Sequence, residues 1–111
     1  MQTIQRNELK KMIERGAEFD LVEVLAPKAY EHAHLPGAIN IPFDDQFEHK
    51  IQLAIDNKSR TVVVYCTDLD CDASPKAGQA MEQLGYTHVY DYQAGKADWM
   101  RAGLDVVHSN S

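Results

Sequence analysis

The chain predicts an α/β fold of about five parallel strands with helices on both faces, and three observations carry that expectation. Short apolar runs alternate with segments of helical period along the sequence, the pattern of strand–helix–strand crossovers. Thr61-Val62-Val63-Val64-Tyr65 puts four β-branched residues in a row, which suits a strand buried on both faces, as the central strands of parallel sheets are. No repeat, linker or low-complexity stretch interrupts the alternation. With 111 residues, 44% hydrophobic and 25% charged, the reading is one domain over 1–111 with a single core.

Each element has its own reason. A short strand is expected near Thr3-Ile4. Asn7 then caps a helix whose Leu9, Met12 and Ile13 share a face and which Gly16 stops. Phe19 to Leu25 reads as a second strand. Pro27 opens a short helical turn through Tyr30, and Leu35-Pro36-Gly37 turns the chain into a brief strand at Ala38-Ile39-Asn40-Ile41. Phe43 to Ile55 reads as a helix, capped by Asp44-Asp45, with Phe47, Ile51 and Ile55 on one face. After the strand at Thr61–Tyr65 comes a polar loop and a helix over Ser74 to Leu84. Ser74 is the expected cap and Pro75 sits in the first turn. Gly85 ends that helix, His88 to Tyr92 is a fifth strand, and Ala97 to Ala102 is a last helix carrying Trp99. Right-handed crossovers place the helices on both sides of the sheet.

Cys66 is the residue with the most chemistry in its position. It ends the apolar strand and opens the loop Thr67, Asp68, Leu69, Asp70, Cys71, Asp72, ahead of a helix N-terminus. In open α/β sheets, binding and chemistry collect at that end of the strands. A free thiol titrates near about 8.5, and loop amides or a helix N-terminus lower that value. By residue type and position alone two readings stay open: an activated nucleophile, or a small buried hydrophobe finishing a core strand.

Composition excludes several classes. The formal net charge of −6, from 17 acidic and 11 basic residues without a Lys/Arg cluster, argues against nucleic acid and anionic membrane surfaces as partners. The N-terminal residues form no apolar signal segment and no stretch approaches a membrane span, so a cytoplasmic location and reduced thiols are expected. The sequence carries no signal for oligomeric state.

Three stretches resemble the rhodanese-like family, and the likeness runs over nearly the whole chain. Leu21-Val22-Glu23-Val24 followed by Tyr30-Glu31-His32-Ala33-His34-Leu35-Pro36-Gly37-Ala38-Ile39-Asn40-Ile41-Pro42 is similar to that family's Glu-x-x-His-Ile-x-Gly-Ala-x-Asn-Ile-Pro signature. Val62-Val63-Val64-Tyr65-Cys66 resembles its active-site strand. Val89 to Leu104, with Ala94-Gly95 and Trp99, resembles its Gly-Gly-x-x-x-Trp-x-x-x-Gly ending. The resemblance implies the rhodanese-like sheet and a sulfurtransferase whose nucleophile is Cys66. It implies a persulfide on Cys66, a small sulfane-sulfur donor or a protein thiol as partner, and no metal or organic cofactor. Amides of the Thr67–Asp72 loop would cradle the sulfur. The alternative is a non-catalytic binding or redox-sensing module using Cys66 and Cys71.

Departures from the family pattern matter as well. The loop holds Asp68, Asp70 and Asp72 and no cation, which opposes a thiolate and a dianionic donor such as thiosulfate unless the acids point outward. Leu25 stands where many relatives carry Arg, and Ala94 replaces the first of the Gly pair. Cys71, five residues from Cys66, is a candidate resolving thiol, and the bland reading is that it fills the loop base.

Other chemistries fail on spacing. A phosphatase-type loop needs Arg where Asp72 stands. Asp68-x-Asp70-x-Asp72 begins like a calcium loop, but Ala73 and Gln79 replace its Gly and Glu. Cys66 and Cys71 fit no zinc spacing. His34 reads as a hydrogen-bonding structural residue, the other histidines as surface, and Trp99, Tyr90 and Tyr92 as core.

Overall fold

The computed structural model describes residues 1–109. It contains ten elements: β1 (Gln2–Thr3), α1 (Arg6–Glu14), β2 (Asp20–Glu23), α2 (Pro27–His32), β3 (Ile39–Asn40), α3 (Phe47–Ala54), β4 (Thr61–Tyr65), α4 (Ala73–Gln83), β5 (His88–Tyr92) and α5 (Gly95–Arg101). The five strands form one sheet in the order β1-β5-β4-β2-β3, every pair parallel. The expected five-stranded parallel sheet with helices on both faces is therefore the architecture of this chain.

Strand β4 lies in the middle, and its register explains the site. Val63 sits opposite Leu21 on one side and Tyr90 on the other, and Tyr65 opposite Glu23 and Tyr92. Val62, Val63, Val64 and Tyr65 are all fully buried, as the unbroken β-branched run requires. Alternation divides the core in two. Val62, Val64 and Cys66 pack with Phe47, Ile51, Ala77 and Met81 of α3 and α4, whereas Val63 and Tyr65 pack with Leu9 of α1 and Trp99 of α5. Burying each Val or Leu contributes about 1.5–3 kcal/mol, so both halves hold the central strand firmly.

Element boundaries differ from the sequence expectations where side-chain chemistry intervenes. Helix α1 is capped by Gln5 and not Asn7, because the Glu8 carboxylate reaches back to accept the Gln5 N–H at 3.2 Å. The α3 helix starts at Phe47 because the Asp44 carboxylate closes a turn on the Gln46 N–H (2.9 Å) first. Ser74 is not the cap of α4. Asp72 holds that position and the Ser74 hydroxyl is turned inward, a difference that bears directly on Cys66. The last helix begins at Gly95, two residues earlier than expected.

Candidate active site

Cys66 follows the last residue of β4, at the C-terminal edge of the sheet. Two backbone bonds fix it there: the Lys96 N–H donates to the Cys66 carbonyl (2.9 Å) and the Ala97 N–H to the Thr67 carbonyl (2.8 Å). These donors belong to the first turn of α5, where helical N–H groups have no partner within the helix. The approach is close enough to dictate residue type. A Cβ on Gly95 would lie 2.6 Å from the Cys66 carbonyl oxygen and 2.7 Å from the Thr67 carbonyl, and Gly95 has φ +71°. Ala94 has an ordinary helical φ of −64°, which is why a side chain is accommodated at the first position of this pair and not at the second.

Cys66 is only 1% exposed. The Cys66 thiol donates toward the Ser74 hydroxyl at 3.4 Å and toward the Cys71 carbonyl at 3.6 Å, and the Cys71 thiol lies beside it. The expected ring of loop amides around the sulfur is not formed. Asp68 takes two of them: its carboxylate accepts the Asp70 N–H (3.0 Å) and its carbonyl the Cys71 N–H (3.2 Å). An Asp two residues ahead of a free N–H makes this turn readily, so the loop acid competes with the sulfur for donors. The Ser74 N–H remains as the backbone donor acting on Cys66.

The electrostatic result runs opposite to the sequence expectation. Burial first, and the neighbouring Cys71 thiol second, push the Cys66 thiol up to about 11, and the Ser74 hydroxyl and N–H only partly oppose them. The loop carboxylates contribute little, since Asp70 and Asp72 are exposed, Asp68 is half-buried, and Asp72 pairs with Lys76 at 2.9 Å.

A pH effect on folding follows from the raised thiol. The native state favours the protonated sulfur, so that contribution is complete below the unfolded thiol value of about 8.5 and disappears as pH climbs through about 11. It amounts to roughly 3 kcal/mol. Urea unfolding followed across this alkaline range is expected to show a steeper loss of stability for the wild type than for Cys66→Ala, and parallel curves would contradict it.

Behind β4 lies a buried polar network that the sequence reading missed. Lys96 Nζ contacts both Glu23 carboxylate oxygens (2.9 and 3.0 Å) and donates to the Ala29 carbonyl (3.0 Å). The Tyr65 hydroxyl donates to Glu23 (2.9 Å) and accepts the Leu35 N–H (3.1 Å). Tyr65 is thus packed, as expected, and burial beside Glu23 pushes its phenol far above the usual range. The cation for this buried acid comes from α5. The signal was available, because Glu23 stands between Val22 and Val24, and a charged residue in a buried strand needs a partner.

The remaining candidates are structural. His34 is buried, stacks on Tyr30 with ring centroids 3.7 Å apart, and holds the Tyr30 carbonyl at 2.8 Å. The indole N–H of Trp99 donates to the Asp105 carbonyl (2.9 Å), and its ring meets Tyr92 edge to face in the core. The other histidines are exposed. Among the described residues no helix is long and apolar enough to cross a membrane.

A parallel sheet in this strand order, with a cysteine at the head of its middle strand and a helix N-terminus clipped behind it, defines a narrow class. Residues 5–102 match the family model described as Rhodanese-like domain, and the chain belongs to that family. It is 41% identical over 71 residues to Thiosulfate sulfurtransferase PspE of Escherichia coli, covering 61% of this chain and 62% of that protein. It is 35% identical over 103 residues to the HTH-type transcriptional regulator Rv0324 of Mycobacterium tuberculosis, covering 93% of this chain and 43% of the relative. The chain therefore spans less than two thirds of either relative. In three dimensions it is similar to the thiosulfate sulfurtransferase of Pseudomonas aeruginosa, with a TM-score of 0.86 at 18% identity over 100% of this chain and 21% of that one. That likeness establishes the fold.

Proposed function

We propose that this chain is a sulfurtransferase that carries sulfane sulfur as a persulfide on Cys66. The observation that carries the reading is the position of Cys66, in a chain of this family, at the C-terminal end of the central strand beneath a six-residue loop. The 41% identity to a thiosulfate sulfurtransferase supports it. In the first step the Cys66 thiolate attacks the outer sulfur of the donor. A sulfur–sulfur bond forms on Cys66, and the donor's own bond to that sulfur breaks, its electron pair leaving with the donor thiolate. An acceptor thiolate then attacks the outer sulfur of the persulfide and returns Cys66 as thiolate. No net oxidation occurs, and no cofactor enters either step.

The sealed, protonated sulfur describes the resting state. A donor reaches it when the loop from Asp68 to Asp72 moves, and that movement also removes the Cys71 carbonyl from the sulfur. A persulfide, on a small molecule or on a protein cysteine, has the outer sulfur and the leaving thiolate that this first step requires.

A second reading is favoured by the depth of Cys66 and by the adjacent Cys71: a binding or redox-sensing module in which the two thiols, both free here, pair on oxidation. Intact mass after incubation with several sulfane donors separates the readings. The enzyme gains the mass of about one sulfur atom, the covalent intermediate of an activated thiol. Cys66→Ala loses this gain and Cys71→Ser keeps it. Protein that stays unmodified with every donor, and that loses both free thiols on mild oxidation, would support the module.

A further inference from the structure

Asp91 is a buried carboxyl on the Cys66 side of the sheet. It lies on β5 in register with Val64 of β4, and it shares the face of Val62, Val64 and Cys66, so that Cys66 and Asp91 are diagonal neighbours on adjacent strands. Ser74 of α4 sits over both. Asp91 is 0% exposed and Ser74 1%. Neither carboxyl oxygen of Asp91 has a hydrogen-bond partner among the described residues. The Ser74 hydroxyl and the Gln93 side chain are the polar groups near enough to favour its charged form, against burial, which opposes it. A buried carboxyl left in this condition destabilises the fold, and such groups are retained where they act on something.

We propose that Asp91 acts through the Ser74 hydroxyl on Cys66, so that the carboxyl and the sulfur share one negative charge and the hydroxyl directs its proton to whichever group carries it. A serine hydroxyl has one proton to give and lone pairs to accept with. At rest the Cys66 thiol donates to Ser74 Oγ, which leaves the Ser74 proton free for the Asp91 carboxylate. In the activated state the Cys66 S–H bond breaks and its proton bonds to Ser74 Oγ, while the former Ser74 proton passes to Asp91. The products are a thiolate accepting from Ser74 and a neutral carboxylic acid donating to Ser74. The charge is conserved and nothing is oxidised. An ionised Asp91 thus holds Cys66 as the thiol, and a protonated Asp91 releases the thiolate. Asp91 is a positioning residue in this scheme, because it acts through Ser74 and not on the reacting sulfur.

On α4, Lys76 is paired with Asp72 and Glu82 with the N-terminal ammonium group. The registered neighbours of Asp91 on β1 and β4 are Thr3 and Val64, and Cys71 is the titratable group that faces Cys66 from the loop.

The pH profile of Cys66 alkylation tests the proposal in the Cys71→Ser background, which leaves one thiol. Asp91→Asn supplies a neutral side chain that donates to Ser74 as the protonated carboxyl does. It is expected to lower the apparent thiol pKa by about one unit or more and to speed alkylation at neutral pH about tenfold. In Ser74→Ala the same Asp91→Asn change is expected to have a much smaller effect. An unchanged or raised thiol pKa in Asp91→Asn would overturn the proposal, as would equal shifts with and without Ser74. Should Asp91→Asn not fold, the carboxyl 13C resonance of Asp91 in otherwise native protein serves instead. It moves as Cys66 titrates if the charge is shared, and its indifference to that titration ends the idea. The inference rests on Cys66 as the reacting thiol. Alkylation reads ionisation whether or not sulfur is transferred, so failure here leaves the sulfurtransferase reading standing, and absence of a persulfide leaves this coupling measurable.

Discussion

Lys96→Met is expected to destabilise the protein by about 3–5 kcal/mol, the range seen when one member of a buried ion pair is removed and the other is left behind. Glu23 is fully buried, and Lys96 supplies its only cation among the described residues. Methionine matches the length of the lysine stem, so the loss is one of charge and hydrogen bonds and not of volume. The Lys96 backbone N–H still reaches the Cys66 carbonyl in this variant. Urea midpoints should therefore fall while the folded fraction keeps its Cys66 reactivity. The double variant Glu23→Leu, Lys96→Met should recover part of the loss, because an apolar pair removes the uncompensated charge. A shift below about 1 kcal/mol for Lys96→Met would mean that Glu23 finds water or another donor.

Gly95→Ala acts on stability and on the site together. Its methyl group would have to occupy space 2.6 Å from the Cys66 carbonyl oxygen, and its backbone a φ of +71°. Left-handed backbone costs a non-glycine residue about 1–2 kcal/mol, and forcing an atom into a packed interior adds about 1–3. Relief comes by pushing α5 away from β4, which lengthens the bonds from Lys96 and Ala97 to Cys66 and Thr67. The expected result is a loss of about 2–5 kcal/mol together with slower persulfide formation by the folded protein. Ala94→Gly, one residue earlier, should leave reactivity unchanged, since Ala94 already has helical geometry. Equal effects from the two substitutions, read by denaturant midpoint and intact mass, would refute the steric account.

The sheet was legible because its signals are local and redundant. The β-branched run at Val62–Val64, the Leu9, Met12 and Ile13 stripe and the stop at Gly16 each point to one structure, and each strand was found within two residues of its observed limits. Where boundaries slipped, side chains such as Glu8 and Asp44 had closed turns that propensity alone does not weigh. The position of Cys66 was equally legible, since strand end and loop follow from pattern. Its protonation was not. The direction of the thiol shift depends on depth, on the Cys71 carbonyl and on the amides taken by Asp68, all of which arise from the path of the loop. Ser74 shows the same limit. Sequence gives it a helix cap, whereas packing under Asp72 turns its hydroxyl to the sulfur. Lys96 was invisible for a different reason: its partner Glu23 is 73 residues away along the chain.

The clip between α5 and the end of β4 has a mechanical corollary. With the Cys66 and Thr67 carbonyls both pinned by Lys96 and Ala97, the chain has no freedom to pivot until Asp68, and α4 takes it up again at Ala73. Whatever uncovers the sulfur must swing on these two anchors, a flap of five residues with Leu69 at its outer edge. With five residues between two fixed ends, the span itself limits how far that flap can lift.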